Sequence, residues 1–312
     1  MTLSARRFAP DHSGSPDLQA PRLSSSLVIC TRGRTDALRH CLAAVRELDP
    51  APQEVIVVDN SSGDPEAARI ALEAGARYCI EATLGLSRAR NRGVSESRFD
   101  IVAFIDDDAI PCRDWLGRIL APYADERVSL VTGDTVANDN QATAAAHRPV
   151  RTLSSADPLW FEMANFGGLG FGTNMSLRRR CCADTALFDV RLGRGAPIWI
   201  AEESHAFTRL LARGYHAVHV PSAVVFHPDK QRDVAREATA SFAYWLLLAC
   251  EFPGHRRDLL HFLFRRLARK PLSWPRDPHG PGEIISSSLP VKVKAVFAGA
   301  ALYARTRKHA RN

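Results

Sequence analysis

The sequence of 312 residues lacks the cysteine spacing of a disulfide-bonded or zinc-binding protein. Its seven cysteines are odd in number, scattered along the chain and never spaced as C-x-x-C. Small disulfide frameworks use an even number of cysteines, and structural zinc sites place them in close pairs. We therefore expect neither kind of site, and a reducing, cytoplasmic compartment fits this usage best.

Long apolar runs are also missing. The longest, at 242–250, has nine residues, whereas a helix that crosses a bilayer needs about 20. The first 24 residues contain three prolines and no apolar run of the kind found in a signal peptide. We expect residues 1–24 to form a flexible leader and the chain not to span a membrane.

The first 230 residues carry no excess of positive charge. They hold 26 Lys and Arg against 28 Asp and Glu, whereas residues 231–312 hold 15 against 6. Proteins that bind nucleic acids usually carry their basic surface on the recognition fold itself, so we exclude a nucleic-acid partner. A basic tail on a near-neutral body favours peripheral binding to an anionic membrane surface, on the inner face of the cell membrane.

A dinucleotide-binding fingerprint is absent as well. The glycine-rich stretch at 168–172 reads GLGFG, which follows no predicted strand and lacks the G-x-G-x-x-G spacing. The sequence therefore argues against a dinucleotide-dependent oxidoreductase, although the glycines allow a ligand to approach the backbone closely.

What the sequence does contain is an alternation of short apolar runs and amphipathic segments. Continuous apolar strands that alternate with helices indicate an α/β fold, with a mainly parallel central sheet and helices on both faces. After about residue 134 the pattern is less regular, and residues 231–312 are predicted to be helical and basic. We predict strands at 27–30, 55–58, 77–80, 101–105 and 223–226, and helices at 35–48, 66–74, 86–95 and 202–213.

Acidic side chains follow two of these strands. Asp59 ends one strand, and the run Asp106-Asp107-Asp108 ends another. Adjacent carboxylates repel one another, by about a few kcal/mol in a pocket of low dielectric constant. A divalent cation such as Mg²⁺ or Mn²⁺ relieves that repulsion. A solvated acidic loop or helix cap is the alternative interpretation.

Seven segments follow one another in a highly specific order. They read TRGR, VIVVDNSSGD, GLSRARNRGV, FIDDDA, GTNMSLRR, FDVRLG and an EES-bearing helix that ends in ARGY. Together they resemble the family 2 glycosyltransferases over roughly residues 25–228. The resemblance implies a GT-A fold at 25–230, a nucleotide-sugar donor, a divalent metal (Mn²⁺ or Mg²⁺) and inversion at the anomeric carbon. The acceptor would be a hydroxyl of a glycan or of a lipid-linked sugar.

The resemblance also implies roles for individual residues. The implied metal ligands are Asp108 and His227, although a lone histidine after a strand is more often structural. An exposed basic helix face is the alternative for the arginines of RARNR. The implied nucleotide-binding residues are Thr31, Arg34, Asp59, Arg90, Asn91 and Asp106, and those of the donor and acceptor pocket are Asp107, Gly172, Asn174 and Glu202.

The catalytic base is where the sequence departs from the family pattern. The family commonly has Glu-Asp at the start of the late helix, and the aspartate deprotonates the acceptor. Here the pair is Glu202-Glu203, with His205 where many relatives have a second acid. Glu203 can act as the base, since its carboxylate only has to reach the hydroxyl. The departure leaves open an acidic first helical turn, a non-catalytic nucleotide-sugar-binding protein and a nucleotidyltransferase.

Two apolar segments lie in the basic C-terminal region. The first, at 242–248, fits an interfacial helix with an aromatic anchor and a helix packed on the body equally well. The second, at 289–303, is flanked by Lys and Arg on both sides, which favours a position on anionic lipid. A lipid-linked acceptor would explain such a tail.

Overall fold

The computed structural model describes residues 23–137, 148–182, 186–228, 233–267 and 289–309. Of the predicted leader at 1–24, all but the last two residues lie outside the described ranges. The described ranges include the glycine-rich stretch, the acidic run and the late helix that carries Glu202 and Glu203.

The described residues contain nine strands. They are β1 (Ser25–Thr31), β2 (Glu54–Asp59), β3 (Arg77–Ile80), β4 (Ile101–Asp106), β5 (Ile110–Pro111), β6 (Val128–Val136), β7 (Arg151–Leu153), β8 (Asn174–Arg178) and β9 (His216–Phe226). All belong to one sheet of order β3-β2-β1-β4-β8-β6-β9-β5, with β7 paired to β9.

The first four strands in this order run parallel, as predicted. Most apolar residues of β1, β2 and β4 are buried on both faces of the sheet, which explains their continuous rather than alternating apolar runs, whereas Ile80 of the edge strand β3 is exposed. The register places Thr31 beside Asp59 and Cys30 beside Asp106. The polar residues that end β1, β2 and β4 therefore meet at one edge of the sheet.

Helices cover the sheet on both sides. Those described are α1 (Thr35–Val45), α2 (Pro65–Glu73), α3 (Leu86–Glu96), α4 (Trp115–Leu120), α5 (Trp160–Phe166), α6 (Glu202–Ala212), α7 (Val234–Glu251), α8 (Arg256–Leu267) and α9 (Leu289–His309). Local signals explain several bounds. Asp64, for example, accepts hydrogen bonds from the backbone N–H groups of Glu66 and Ala67, and Pro65 begins α2.

Two central strands, β6 and β8, were not predicted. The β8 strand lies antiparallel to both β4 and β6 and joins the parallel half of the sheet to β6, which in turn pairs with β9. The β6 strand contains Gly133 and Asp134, where its register with β9 shifts. Gly133 packs so closely on β9 that an added Cβ would lie 2.0 Å from the Ala223 carbonyl oxygen. Gly133 and Asp134 are residue types common in turns, but here they form a bulge within the strand.

The C-terminal region packs on the body through α7. Ala243, Tyr244, Leu247 and Leu248 are buried in the same apolar cluster as α5 and α6. For the segment at 242–248, packing on the body is thus confirmed. On α9, Phe297 remains 73% exposed. Within the described ranges, no helix combines the length and apolar character needed to cross a bilayer.

Candidate active site

A cavity of about 590 Å³ lies at the edge where β1, β4 and β9 end and α6 begins. Residues predicted from five separate motifs line it together with the histidine predicted after the strand at 223–226. Those residues are Thr31, Arg34, Arg90, Asp106, Gly172, Glu202, Glu203 and His227. The chain thus gathers the predicted base, one acid of the acidic run and the late histidine around one space.

Two carboxylates and an imidazole form a group suited to a divalent cation. One ligand atom from each of Asp106, Asp108 and His227 lies within 4.8 Å of the others. Nε2 of His227 is 3.1 Å from Oδ1 of Asp108 and 3.8 Å from Oδ2 of Asp106. Asp106 belongs to the group together with the two predicted ligands, because it is the last residue of β4 and lies close to His227, which follows the end of β9. The two carboxylates suit Mn²⁺ or Mg²⁺, and the imidazole beside them favours the softer Mn²⁺ of the two.

Asp107 faces away from this group. Its Oδ2 accepts hydrogen bonds from the Thr31 hydroxyl at 2.7 Å and from Nε of Arg34 at 3.1 Å. Burial raises the pKa of Asp107 above its usual range, although the hydrogen bond from Thr31 and the positive charge of Arg34 both lower it. Arg34 also donates to Oδ2 of Asp108 at 2.6 Å. The middle acid therefore fixes the loop after β1 to the end of β4 and does not line the cavity.

Arg90 connects the two ends of the site. Its guanidinium is almost fully buried, donates to Oε1 of Glu202 at 2.8 Å and lies 3.7 Å from Oδ1 of Asp106. A buried cation needs such partners, because removing one would leave an uncompensated charge. The alternative of an exposed basic helix face is wrong for Arg90, which ties α6 to the end of β4.

The predicted base lies in the first turn of α6. Burial raises the pKa of Glu203 to about 7, and repulsion from Glu202 adds to this shift while Arg90 opposes it. A carboxylate with such a pKa can accept a proton near neutral pH. Ala201, the residue before the helix, has a φ of 69°, an unusual backbone conformation for a residue with a side chain.

Comparison with known proteins agrees with this geometry. The model of the family described as "Glycosyl transferase family 2" matches residues 26–182. The chain belongs to glycosyl transferase family 2. This confirms the resemblance drawn from the seven motifs.

Individual relatives support the assignment to family 2. The chain is 32% identical to "Glycosyltransferase AglE" of Haloferax volcanii over 213 residues, 66% of this chain and 67% of that protein. It is 34% identical to "Pre-mycofactocin glycosyltransferase" of Mycobacterium tuberculosis over 111 residues, which cover 34% of this chain and only 22% of the relative. The chain thus spans about a fifth of the latter protein.

Solved structures confirm the fold. The mannosyltransferase PcManGT from Pyrobaculum calidifontis, in complex with GDP-Man and Mn²⁺, superposes with a TM-score of 0.59 at 18% identity. The superposition covers 93% of this chain and 80% of that one. At this identity the likeness shows the shared GT-A architecture.

Besides Asp107, four residues predicted for the site of this family 2 protein lie outside the cavity lining, namely Asp59, Asn91, Asp108 and Asn174. Asp59 is fully buried, and its Oδ2 accepts hydrogen bonds from the Tyr78 hydroxyl at 2.5 Å and the Asp64 N–H at 2.8 Å. The Asn91 side chain bonds both backbone groups of Phe188. Asn91 therefore fastens α3 to the FDVRLG segment.

Asn174 is also held away from the cavity. Its amide donates to the carbonyl oxygens of Asp134 and Ala223 at 2.7 and 2.8 Å and accepts from the Trp115 indole at 2.8 Å. The side chain is fully buried and joins β8 to β6, β9 and α4. Among the described residues, its contacts are those of a structural bridge within the sheet.

Several lining residues were not predicted. Thr173 donates to Oδ2 of Asp106 at 3.1 Å, and Asn60 follows Asp59 at the end of β2. Arg194 and Trp199 come from the irregular segment before α6. Thr173 and Asn60 each directly adjoin a predicted residue, which is a signal that could have found them. Nothing in the sequence pattern marks Arg194 or Trp199.

We predict that Gly172→Ala lowers both stability and any activity of this site. An added Cβ would lie 2.6 Å from a guanidinium nitrogen of Arg90, which is held between Asp106 and Glu202 and has little room to move. Displacing Arg90 would leave the buried Glu202 unpaired, at a cost of about 3–5 kcal/mol for a broken buried pair. Denaturant unfolding checks the stability change, and Gly254→Ala is a control, because an added Cβ there meets nothing within 4 Å and the backbone φ is not positive.

Proposed function

We propose that this protein is an inverting glycosyltransferase, which moves a sugar from a nucleotide-sugar donor to a hydroxyl acceptor. The observation that carries the proposal is a single cavity lined by Asp106 and His227 of the metal-type ligand group and by Glu203, whose pKa is raised to about 7. Arg90 bridges the two parts. A carboxylate whose pKa is raised, in the same cavity as the ligand group, has no evident use in a nucleotidyltransferase.

In this mechanism Glu203 takes the proton of the acceptor hydroxyl. The hydroxyl oxygen forms a bond to the anomeric carbon while the bond from that carbon to the diphosphate oxygen breaks on the opposite face. The electron pair of the broken bond leaves with the nucleoside diphosphate, and the anomeric configuration is inverted. Base catalysis of this kind contributes about 10²–10⁴-fold to the rate.

The donor set fits a divalent metal. Asp108 and His227, joined by Asp106, would hold Mn²⁺ or Mg²⁺, since two carboxylates and an imidazole lie within reach of one ion. When bound, such an ion supplies positive charge that stabilises a departing diphosphate. PcManGT, which has the same fold, was solved with GDP-Man and Mn²⁺.

The nucleotide would lie along the ends of β1, β2 and β4. Thr31, Arg34, Arg90 and Asp106 line that part of the cavity. Asp59 keeps one buried carboxylate oxygen, Oδ1, without a hydrogen-bond partner among the described residues. A buried unpaired oxygen is costly, so an N–H group of the base or a ribose hydroxyl would be a fitting donor to it.

The acceptor would be a glycan or a lipid-linked sugar. The basic C-terminal region supports the second class, because a protein that works on lipid-linked substrates gains from contact with an anionic membrane surface. Helix α9 presents Lys294 and the exposed Phe297 and Val296, which suit a position at such a surface. Peripheral attachment to a membrane is part of this proposal.

Calorimetry on the purified protein tests the function. UDP, GDP, CDP and ADP are titrated with and without Mn²⁺, and release of nucleoside diphosphate from the matching nucleotide sugars is followed. We expect one nucleotide to bind in a Mn²⁺-dependent manner and its sugar conjugate to be turned over. Binding without turnover would indicate the non-catalytic alternative, and no binding at all would overturn the enzyme proposal.

A further inference from the structure

The segment that carries Glu203 needs support from outside its own helix. Ala201 adopts a φ of 69°, and α6 begins without a side-chain cap. Glu202 and Glu203 also repel each other in a buried setting. Backbone held in a sparsely populated conformation persists only where its surroundings enforce it.

One support comes from the beginning of α7. Arg236 places its guanidinium carbon 3.6 Å from the centre of the Trp199 ring. Trp199 lines the cavity four residues before Glu203, in the irregular segment that leads into α6. A guanidinium stacked on an indole is attractive and orients both groups. This contact fixes the segment in front of the base.

A second support comes from the last residue of α7. Glu251 accepts a hydrogen bond at Oε2 from Nε2 of His205, at 2.7 Å, and one at Oε1 from Nη2 of Arg191, at 2.5 Å. His205 is almost fully buried and lies two residues after Glu203. Arg191 also binds Asp189. This network fixes α6 on the side away from the cavity.

The same network does not suit a metal ion, although Asp189, His205 and Glu251 offer three ligand atoms within 4.8 Å. The guanidinium of Arg191 bonds both carboxylates at 2.5 Å. A cation placed among the three ligands would compete with this arginine for both carboxylates, whereas in the group of Asp106, Asp108 and His227 the arginine Arg34 bonds one carboxylate, that of Asp108. The network is therefore an ion-pair cluster, in which Arg191 bonds both carboxylates.

We propose that α7 is a positioning helix for the catalytic base, through contacts of Arg236 and Glu251 that we call the α7 clamp. The two residues stand 15 positions apart, or about 22 Å along a helix axis. They hold the chain before and after Glu203 from one rigid element. The inference rests on the proposed role of Glu203, and it makes the C-terminal region, which lies beyond the family-model match, a part of the catalytic apparatus.

Hydrogen–deuterium exchange tests the clamp directly. We expect Glu251→Gln and Arg236→Ala to increase exchange in the segment at 198–205 while exchange in β1 stays as in the wild type. Arg236→Lys, which keeps the cation over the indole, should restore most of the protection. Glu47→Gln and Arg257→Ala remove comparable charges at exposed positions and serve as controls. If Glu251→Gln does not fold, Arg236→Ala carries the test alone.

Turnover separates a positioning role from a merely structural one. With UDP-glucose and GDP-mannose as donors, kcat of the clamp variants should fall by about tenfold, because small misplacements of a reacting group are costly. Affinity for UDP and GDP with Mn²⁺ should be unchanged, since those sites lie on other elements. Unchanged exchange at 198–205, or unchanged kcat, would overturn the clamp. A wild-type protein without nucleotide binding or turnover would instead overturn the proposed function, and the exchange experiment would still decide the clamp.

Discussion

Replacing Glu203 with glutamine is expected to lower turnover by about 10²–10⁴-fold, the range contributed by a general base. Glutamine keeps the size and most of the polarity of the side chain, but it cannot take a proton from the acceptor. Nucleoside diphosphate binding should be unchanged, because the proposed nucleotide residues lie on β1, β2, α3 and β4. Steady-state kinetics and calorimetry on the same preparations measure the two quantities.

The pH profile gives a second readout of the same group. Burial and the neighbouring Glu202 raise the pKa of Glu203 to about 7. A base works when it is deprotonated, so kcat should increase as the pH rises through about 7 and level off above it. Glu47→Gln removes a charge at an exposed position, so kcat and its pH profile should stay as in the wild type. A Glu203→Gln variant with wild-type turnover would exclude Glu203 as the base.

The parallel half of the sheet could be predicted because its strands are buried on both faces. Val28, Val57 and Phe104 belong to continuous apolar runs, which few other elements of this length produce. Once β1, β2 and β4 are taken as parallel neighbours, their polar ends must meet at one edge. The meeting of Asp106 with the rest of the site followed from that rule and from the family motifs.

The direction of individual side chains could not be predicted in the same way. Asp107 and Asp108 are adjacent, identical in type and both bonded by Arg34, yet Asp107 faces Thr31 and Asp108 faces His227. Asn174 belongs to a glycine-rich motif, but its side-chain amide donates its hydrogen bonds to backbone carbonyl oxygens within the sheet. Turn geometry and the pleat of a strand decide such orientations, and neither is visible in residue type.

Contacts between distant segments were the hardest to foresee. Arg236 stacks on Trp199 from 37 positions along the chain, and Glu251 reaches His205 from 46 positions away. The segment before α6 has no periodicity, so nothing indicated where its indole would lie. The helical pattern of α7 predicted an apolar face, whereas its two polar end contacts depend on how α7 packs on α6.

Asp108→Asn is expected to remove the Mn²⁺ dependence of nucleotide binding. The substitution keeps the shape of the side chain but deletes a negative charge from the group formed with Asp106 and His227. Hard divalent cations depend on carboxylate oxygens. The positive charge that they place near a diphosphate stabilises the developing negative charge by several kcal/mol. Calorimetry with and without Mn²⁺, and chelation with EDTA, should then give the same weak affinity for the variant.

Asp107→Asn is the matched comparison, because it changes the adjacent acid by the same chemistry. The Asp107 oxygens bond Thr31 and Arg34 and take no part in the ligand group. We expect this variant to lose stability, since a buried partner of Arg34 is weakened, but to retain Mn²⁺-dependent nucleotide binding. Thermal unfolding measures the first effect and calorimetry the second. If both variants lose the Mn²⁺ dependence equally, the ion would not be held by Asp108 in particular, and the ligand group would have to be assigned to other residues of the acidic run.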